Sequence, residues 1–458
     1  MTASLSPLPG AVPVTAGAYD LAALGYVEEE FALTGTAHSY RLTSERGPDG
    51  RWAVEPAEEA PFTTRVLLRR PRGDADFSGT LVVEWLNVSG GLDAAPDWML
   101  AHTHLMRRGH AWAGVSAQRA GIEGGGMVES FHLKLAHPER YATLSHPGDA
   151  WSFDIFSQAG RALLAAGLLP AGPDGQPPRV LASGHSQSGA FLVTYVNAID
   201  ALAAVFDGFL VHGRTGAGAA LDTGFSPGAS TRGRGERIRD DLRVPVIVLQ
   251  TETDVTLLGS GLAEQPDGDL LRNWEIAGAA HADTYLLFAS GLDDGTLAPA
   301  RLAELLRPTT DVLMGHTEFP INSGPQHHYV ECAAFEQLDA WVAGRAKPPS
   351  AARLDGAADG RDLCRDDLGI ATGGIRTPWT DVPAAILSGT GQSGELFAFL
   401  FGTTSQLSSA DLARLYPGGR ADYLSKFAVS LDEAIAGGFL LAEDRVEILA
   451  VAEASWPG

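Results

Sequence analysis

The sequence predicts an α/β fold, a mostly parallel central sheet flanked by helices, and three observations carry that prediction. Short β-branched runs alternate with longer amphipathic stretches along the chain, the pattern of helices packed on a sheet. With 45% hydrophobic and 19% charged residues over 458 positions, the chain can bury a large core. The segment PRVLASGHSQSGAFLVTYVNAI reads as a short apolar strand, a tight turn and a helix in immediate succession.

Taken in order, residues 26–43 and 61–71 read as strands of an antiparallel opening pair. GTLVVEWLNVSGG (79–91) is a buried strand ending in a glycine-rich turn, residues 95–109 have helical spacing, and 110–118 is the next strand. Residues 119–148 are punctuated by GIEGGG and SHPGD and read as loop; 149–169 is a strong amphipathic helix. Further strands follow at 203–213, 244–250 and 273–278. Residues 284–326 form an inserted, partly helical stretch, and 327–344 a closing helix. PPSAARLDG, near 348–356, is the best linker candidate, and beyond it SADLARLY and LDEAIAGGFLL have helical character.

The formal charge of −23 argues against nucleic acid as a partner, because binding a polyanion requires clustered Lys and Arg. Every apolar run is broken by Gly, Pro or charge well short of the ~18–20 residues of a membrane span. The N-terminal MTASLSPLPGAVPVTAG has neither the cationic nor the apolar region of a signal peptide, which predicts a cytoplasmic protein. Cys332 and Cys364 are too few for a disulfide framework and lack zinc-site spacing; two buried thiols are expected, with a single bridge as the alternative.

The turn in LASGHSQSGA carries the chemistry. A nucleophilic serine on a strand-to-helix turn needs small flanking residues, because the backbone passes close to its neighbours. Gly184, His185 and Ser186 fit G-x-S-x-G, and Ser188 takes the place of the last glycine with Gly189 one step late. A helix N-cap would explain the serines but not their place between strand and helix. A serine hydroxyl needs a base, and the base an orienting acid, in the chain order Ser, acid, His. VPVIVLQ runs into TETDV, which puts Asp254 at a strand's C-terminal end, with Glu252 in reserve. NWEIAG runs into AAHAD, so His281 is the expected base, with His327 and His328 as rivals and His185 structural. The oxyanion amides are expected from Gln187 and from Val88 or Ser89 of NVSGG, with Ser89 preferred. Asn87-Val88-Ser89 matches a glycosylation sequon, read as coincidence beside an active-site cleft.

GHSQSG resembles the GHSQGG elbow of many esterases and lipases. Together with VVEWLNVSGG, GVSAQRAGIEGG, GDAWSFDIFSQAGRAL, QTETDV, WEIAGAAHAD, PINSGPQHHYV and GGIRTPWTDVP, it makes the chain similar to a bacterial family of α/β-hydrolase domain proteins over about residues 20–445. The expected division is an α/β-hydrolase domain over 1–347, with a cap-like insertion around 284–326, and a C-terminal extension over 348–458 packed on that core. The resemblance implies Ser186 as nucleophile, His281 as base and Asp254 as acid. The expected activity is hydrolysis of a small-molecule carboxylic ester through an acyl-enzyme, needing no metal and no cofactor. An acyltransferase or peptidase with the same triad is the enzymatic alternative, and a catalytically silent binding protein on this fold is the alternative from another class.

Overall fold

The computed structural model describes residues 3–13, 17–125, 131–224, 235–312, 315–356, 362–394 and 397–457. The strands of its main sheet are β1 Ser4–Pro7, β2 Tyr26–Leu42, β3 Val54–Pro71, β4 Thr80–Trp85, β5 Ala111–Val115, β6 Arg179–His185, β7 Gly208–His212, β8 Val246–Thr251 and β9 Leu271–Ile276. They form one sheet in the order β1-β2-β3-β5-β4-β6-β7-β8-β9. The first three strands and the β3–β5 pair are antiparallel; from β5 to β9 all neighbours are parallel.

Period-two alternation splits the sheet's side chains between two layers of core. Leu81, Val83 and Trp85 of β4 pack with Phe153, Phe156 and Phe191, from helices α2 (Ser152–Ala165) and α3 (Gln187–Thr194). Val82 of β4, with Leu181, Leu210 and Leu249, faces helices α1 (Pro96–Arg107) and α5 (Gln326–Val342). Helix α1 starts with a proline, and the buried Glu84 carboxylate accepts hydrogen bonds from Asp97 N at 3.0 Å and Trp98 N at 2.9 Å, satisfying amides that have no partner within the helix.

Three elements depart from the expected boundaries. Strand β3 begins at Val54, because the polar run 54–60 pairs with 37–42 on a long hairpin that has no apolar period to reveal it. The stretch 119–148 contains two short helices, Arg119–Glu123 and Leu133–Ala136. The helix expected across LDEAIAGGFLL stops earlier: α6 spans Arg420–Ala436, and Gly438 at φ +79 ends it. A further helix, α7, spans Arg445–Ala454.

The last hundred residues share the α1/α5 core, to which they contribute Ile375, Tyr423, Phe427, Leu431 and Ile448. The expected linker is held down along β9: Arg272 Nε donates to Pro348 O at 2.9 Å, Trp274 Nε1 to Pro349 O at 3.0 Å, and Leu354 N to Glu275 Oε2 at 2.8 Å. Within 284–326, Leu286, Leu302 and Ile321 pack with Leu100, Phe401 and Val451. Cys332 is a buried free thiol; Cys364, expected to be buried, is an exposed free thiol. Among the described residues, no helix is long and apolar enough to cross a membrane.

Candidate active site

The turn between β6 and α3 places Ser186 at φ 63, ψ −120, a conformation that costs a non-glycine residue about 1–3 kcal/mol. The turn is held by Ser186 N donating to His212 O at 3.0 Å and Ala190 N donating to Ser186 O at 3.0 Å. Close packing explains the glycines. A Cβ on Gly184 would meet the Ser188 backbone and Cβ at 3.1 Å, and one on Gly189 would lie 2.4 Å from His212 O. The displaced glycine therefore sits where the helix start presses on the end of β7, and Ser188, fully buried, fills the space beside Gly184.

Asp254 lies in the short helix α4 (Glu252–Thr256) that follows β8. Its Oδ1 is 2.5 Å from His281 Nδ1, while its Oδ2 accepts from Thr251 N at 2.7 Å and Thr251 Oγ1 at 2.8 Å, so the acid of this pair is also the capping-box residue of α4. His281, on the loop after β9, donates its backbone N–H to Thr253 Oγ1 at 3.1 Å. Its ring stacks on that of His185, next to Ser186, with centroids 4.3 Å apart. Gly213, at φ +55, leaves room for both rings, since a Cβ there would lie 2.8 Å from His185 Nε2 and 3.1 Å from His281 Cε1.

Glu252 does different work. It is fully buried and accepts from Gly278 N at 2.6 Å, Gly389 N at 2.9 Å, Ser388 Oγ at 3.1 Å and Arg365 Nη2 at 3.4 Å. Residues 388–394 and 397–402 are thereby wedged against both loops. Thr253 Oγ1 donates to Gly389 O at 2.6 Å, and Ala282 N donates to Leu400 O at 3.1 Å. A Cβ on Gly389 would lie 2.3 Å from Ala279 O. Composition and period gave no sign of this wedge; its one sequence signal is the glycine-punctuated SGTGQSG.

The two amides expected to serve the oxyanion from NVSGG differ in their partners. The Ser89 amide donates to Asn87 Oδ1 at 2.8 Å, so it is already engaged, whereas the Val88 amide makes no hydrogen bond among the described residues. Asn87 Nδ2 donates to His185 O at 3.0 Å, and Ser89 Oγ donates to Gln187 Oε1 at 3.1 Å, tying this loop to the elbow. The Gln187 amide is the first of α3 and has no partner within the helix. Asn87 is buried, with both ends of its side chain occupied.

The rival bases sit elsewhere. His328 Nδ1 bonds Leu100 O, and its ring stacks on Tyr285 at 4.0 Å. His327 Nε2 is 2.7 Å from His212 Nε2, and His212 Nδ1 donates to Asp97 Oδ1 at 2.9 Å. Burial, reinforced by the neighbouring rings, pushes His185 and His327 well below the usual imidazole range, so both are neutral. Burial likewise pushes Glu84 and Glu331 well above the usual carboxylate range, and Asp283 up to about 7. This histidine and carboxylate cluster was missed because its members lie inside strands and helices. The signal that could have found it is a charge within an apolar run, as in LVVEWL and HHYVECAA.

The family description "Alpha/beta hydrolase domain" matches residues 3–450. The chain belongs to that family. Among solved structures, this alpha/beta hydrolase is similar to a putative dienelactone hydrolase from Klebsiella pneumoniae, at 11% identity over 53% of this chain and 85% of the other, with a TM-score of 0.27. It is also similar to a thermostable esterase from Pseudomonas putida, at 12% identity over 57% and 75% with a TM-score of 0.28. A third is a cold-adapted esterase from an Arctic intertidal metagenomic library, at 11% over 54% and 84% with a TM-score of 0.29. No curated protein matches the chain.

Proposed function

We propose that this alpha/beta hydrolase is a serine carboxylic ester hydrolase of the carboxylesterase type, with Ser186, His281 and Asp254 as its catalytic triad. The observation that carries the proposal is the strained Ser186 backbone at a strand-to-helix turn, beside a histidine whose Nδ1 is held by a buried aspartate. With Nδ1–H directed at Asp254, the lone pair of His281 is on Nε2, the form needed to take the Ser186 proton. Ser186 Oγ then attacks the acyl carbonyl, and the Gln187 and Val88 amides stabilise the developing oxyanion. The tetrahedral intermediate collapses as His281 Nε2 gives its proton to the departing alcohol, leaving an acyl-serine. Water, deprotonated by the same nitrogen, releases the acid.

The test is labelling with a fluorophosphonate followed by mass-spectrometric mapping, together with turnover of a panel of esters of varied acyl length. An adduct on Ser186, absent from Ser186→Ala along with ester turnover, is expected. Labelling elsewhere, or turnover undiminished in Ser186→Ala, would refute it. Transfer of the acyl group to an added alcohol or amine in preference to water would instead make the chain an acyltransferase.

A further inference from the structure

Behind the elbow, on the sheet face covered by α1 and α5, His185 from β6, His212 from β7 and His327 from α5 each bring one ring nitrogen within 4.8 Å of the other two, and all three side chains are buried. The tautomer of His212 is constrained. His212 Nδ1 donates to Asp97 Oδ1 at 2.9 Å, and His327 Nδ1 lies 3.8 Å from Asp283 Oδ2. With its proton on Nδ1, His212 turns the lone pair of Nε2 toward His327 Nε2 at 2.7 Å, while His327 Nδ1 makes no hydrogen bond among the described residues. His185 Nε2 is buried and makes no hydrogen bond among the described residues.

The surrounding buried carboxyl groups point the same way. Glu84, Asp97, Asp283 and Glu331 are all buried around these rings. Among the described residues, the only basic groups within ion-pair distance of them are His212 and His327. Asp97 Oδ2, Asp283 Oδ2 and both Glu331 oxygens also make no hydrogen bond there. A hydrogen bond from His327 to His212 would occupy their facing nitrogens but leave His185 Nε2 and these buried carboxyl oxygens without partners. A divalent cation held by the three facing rings would give His185 Nε2 a partner.

We propose that His185, His212 and His327 bind one divalent cation of the zinc class, with Asp97 and Asp283 as the carboxylates that orient His212 and His327. A carboxylate on the far nitrogen of a metal-binding imidazole is the usual support for such ligands, and three imidazoles suit zinc. Zn–N bonds of about 2.05 Å at a tetrahedral angle set ligand nitrogens about 3.3 Å apart, so the His212 and His327 rings part by about 0.6 Å on binding. The site is closed and its role is structural: it fixes the His185 ring on which His281 stacks.

The experiment uses the full chain, purified without chelator or a histidine tag, with metal content measured by plasma mass spectrometry before and after incubation with Zn²⁺ or Co²⁺. About one equivalent per chain is expected, with cobalt giving the intense visible absorption of a tetrahedral nitrogen site. Ser186→Ala should keep the metal while losing ester turnover, which separates this proposal from that for the triad. Asp97→Asn should weaken metal binding by about 10–100-fold. His212→Gln and His327→Gln should lose the metal and the cobalt spectrum. Folded wild-type protein that retains neither metal after loading would overturn the proposal, and so would full metal content in folded His212→Gln. If those variants do not fold, wild-type stoichiometry and the cobalt spectrum decide the matter by themselves.

Discussion

Asp254→Asn separates the acid from its neighbour Glu252. In the wild type, Asp254 Oδ1 faces His281 Nδ1 at 2.5 Å and Oδ2 takes the two Thr251 hydrogen bonds. An asparagine keeps one acceptor oxygen, which the two Thr251 donors claim, so its NH₂ group turns toward His281. That donor selects the imidazole tautomer with its proton on Nε2, which cannot accept from Ser186. The same tautomer error in a Ser-His-Asp triad costs about 10⁴-fold in kcat, or ~5.5 kcal/mol of barrier. Because the capping box survives, stability should change by less than about 1 kcal/mol. Glu252→Gln should do the reverse. One amide oxygen cannot serve both Gly278 N and Gly389 N, which bond different Glu252 oxygens, so at least one buried N–H loses its partner, at about 1–3 kcal/mol. Over 458 residues, at ~2.1 cal/mol/K each, that lowers Tm by about 1–3 °C, with kcat changed by less than about threefold. Stopped-flow acylation with a chromogenic ester and thermal melts of both variants provide the measurements. A kcat for Asp254→Asn within tenfold of wild type, or equal losses in the two variants, would show that the acid has been assigned wrongly.

Three other outcomes follow from named contacts. Gly213→Ala puts a methyl 2.8 Å from His185 Nε2 and 3.1 Å from His281 Cε1, so kcat should fall by about 10²-fold with stability lower by about 1–3 kcal/mol, read from steady-state kinetics and urea melts. Asn87→Ala frees the Ser89 amide and unties His185 O; kcat for ester hydrolysis should drop by about 10–10²-fold with little change in KM, the pattern of an interaction made mainly in the transition state. His110, whose Nδ1 lies 2.6 Å from Ser78 Oγ, is pushed down to about 4 by burial, so the unfolded chain binds one more proton than the folded chain between about pH 6.5 and 4. Stability should therefore be lost as pH falls through that window, at about 1.4 kcal/mol per pH unit from this residue, and His110→Gln should flatten the slope by that amount in urea melts run from pH 7 to pH 4.

The sheet was readable because its parallel strands are apolar runs bounded by turn residues, and their ends mark where functional groups gather. Ser186, Asp254 and His281 follow β6, β8 and β9, and the structure brings Asp254 to His281 and His281 beside the elbow. What sequence could not resolve was which of two adjacent amides is already engaged. That depends on Asn87 folding its side chain back onto Ser89, a local hydrogen bond that does not follow from residue type. The roles of Glu252 and Asp254 were inseparable for a related reason: the partners of Glu252 at Gly389, Ser388 and Arg365 lie more than a hundred residues away and carry no periodic signal.

The wedge formed by 388–394 and 397–402 also bears on the order of events during synthesis. The sheet, the elbow, Asp254 and His281 all leave the ribosome before the chain that braces their loops through Glu252, Thr253 and Ala282. Until then the Gly278 amide and the Glu252 carboxylate form an incomplete buried network, and the His281 loop lacks its bond to Leu400. Nascent chains stalled short of residue 388 would carry every proposed catalytic side chain and still turn over ester slowly, so competence would arrive in a late step close to chain release.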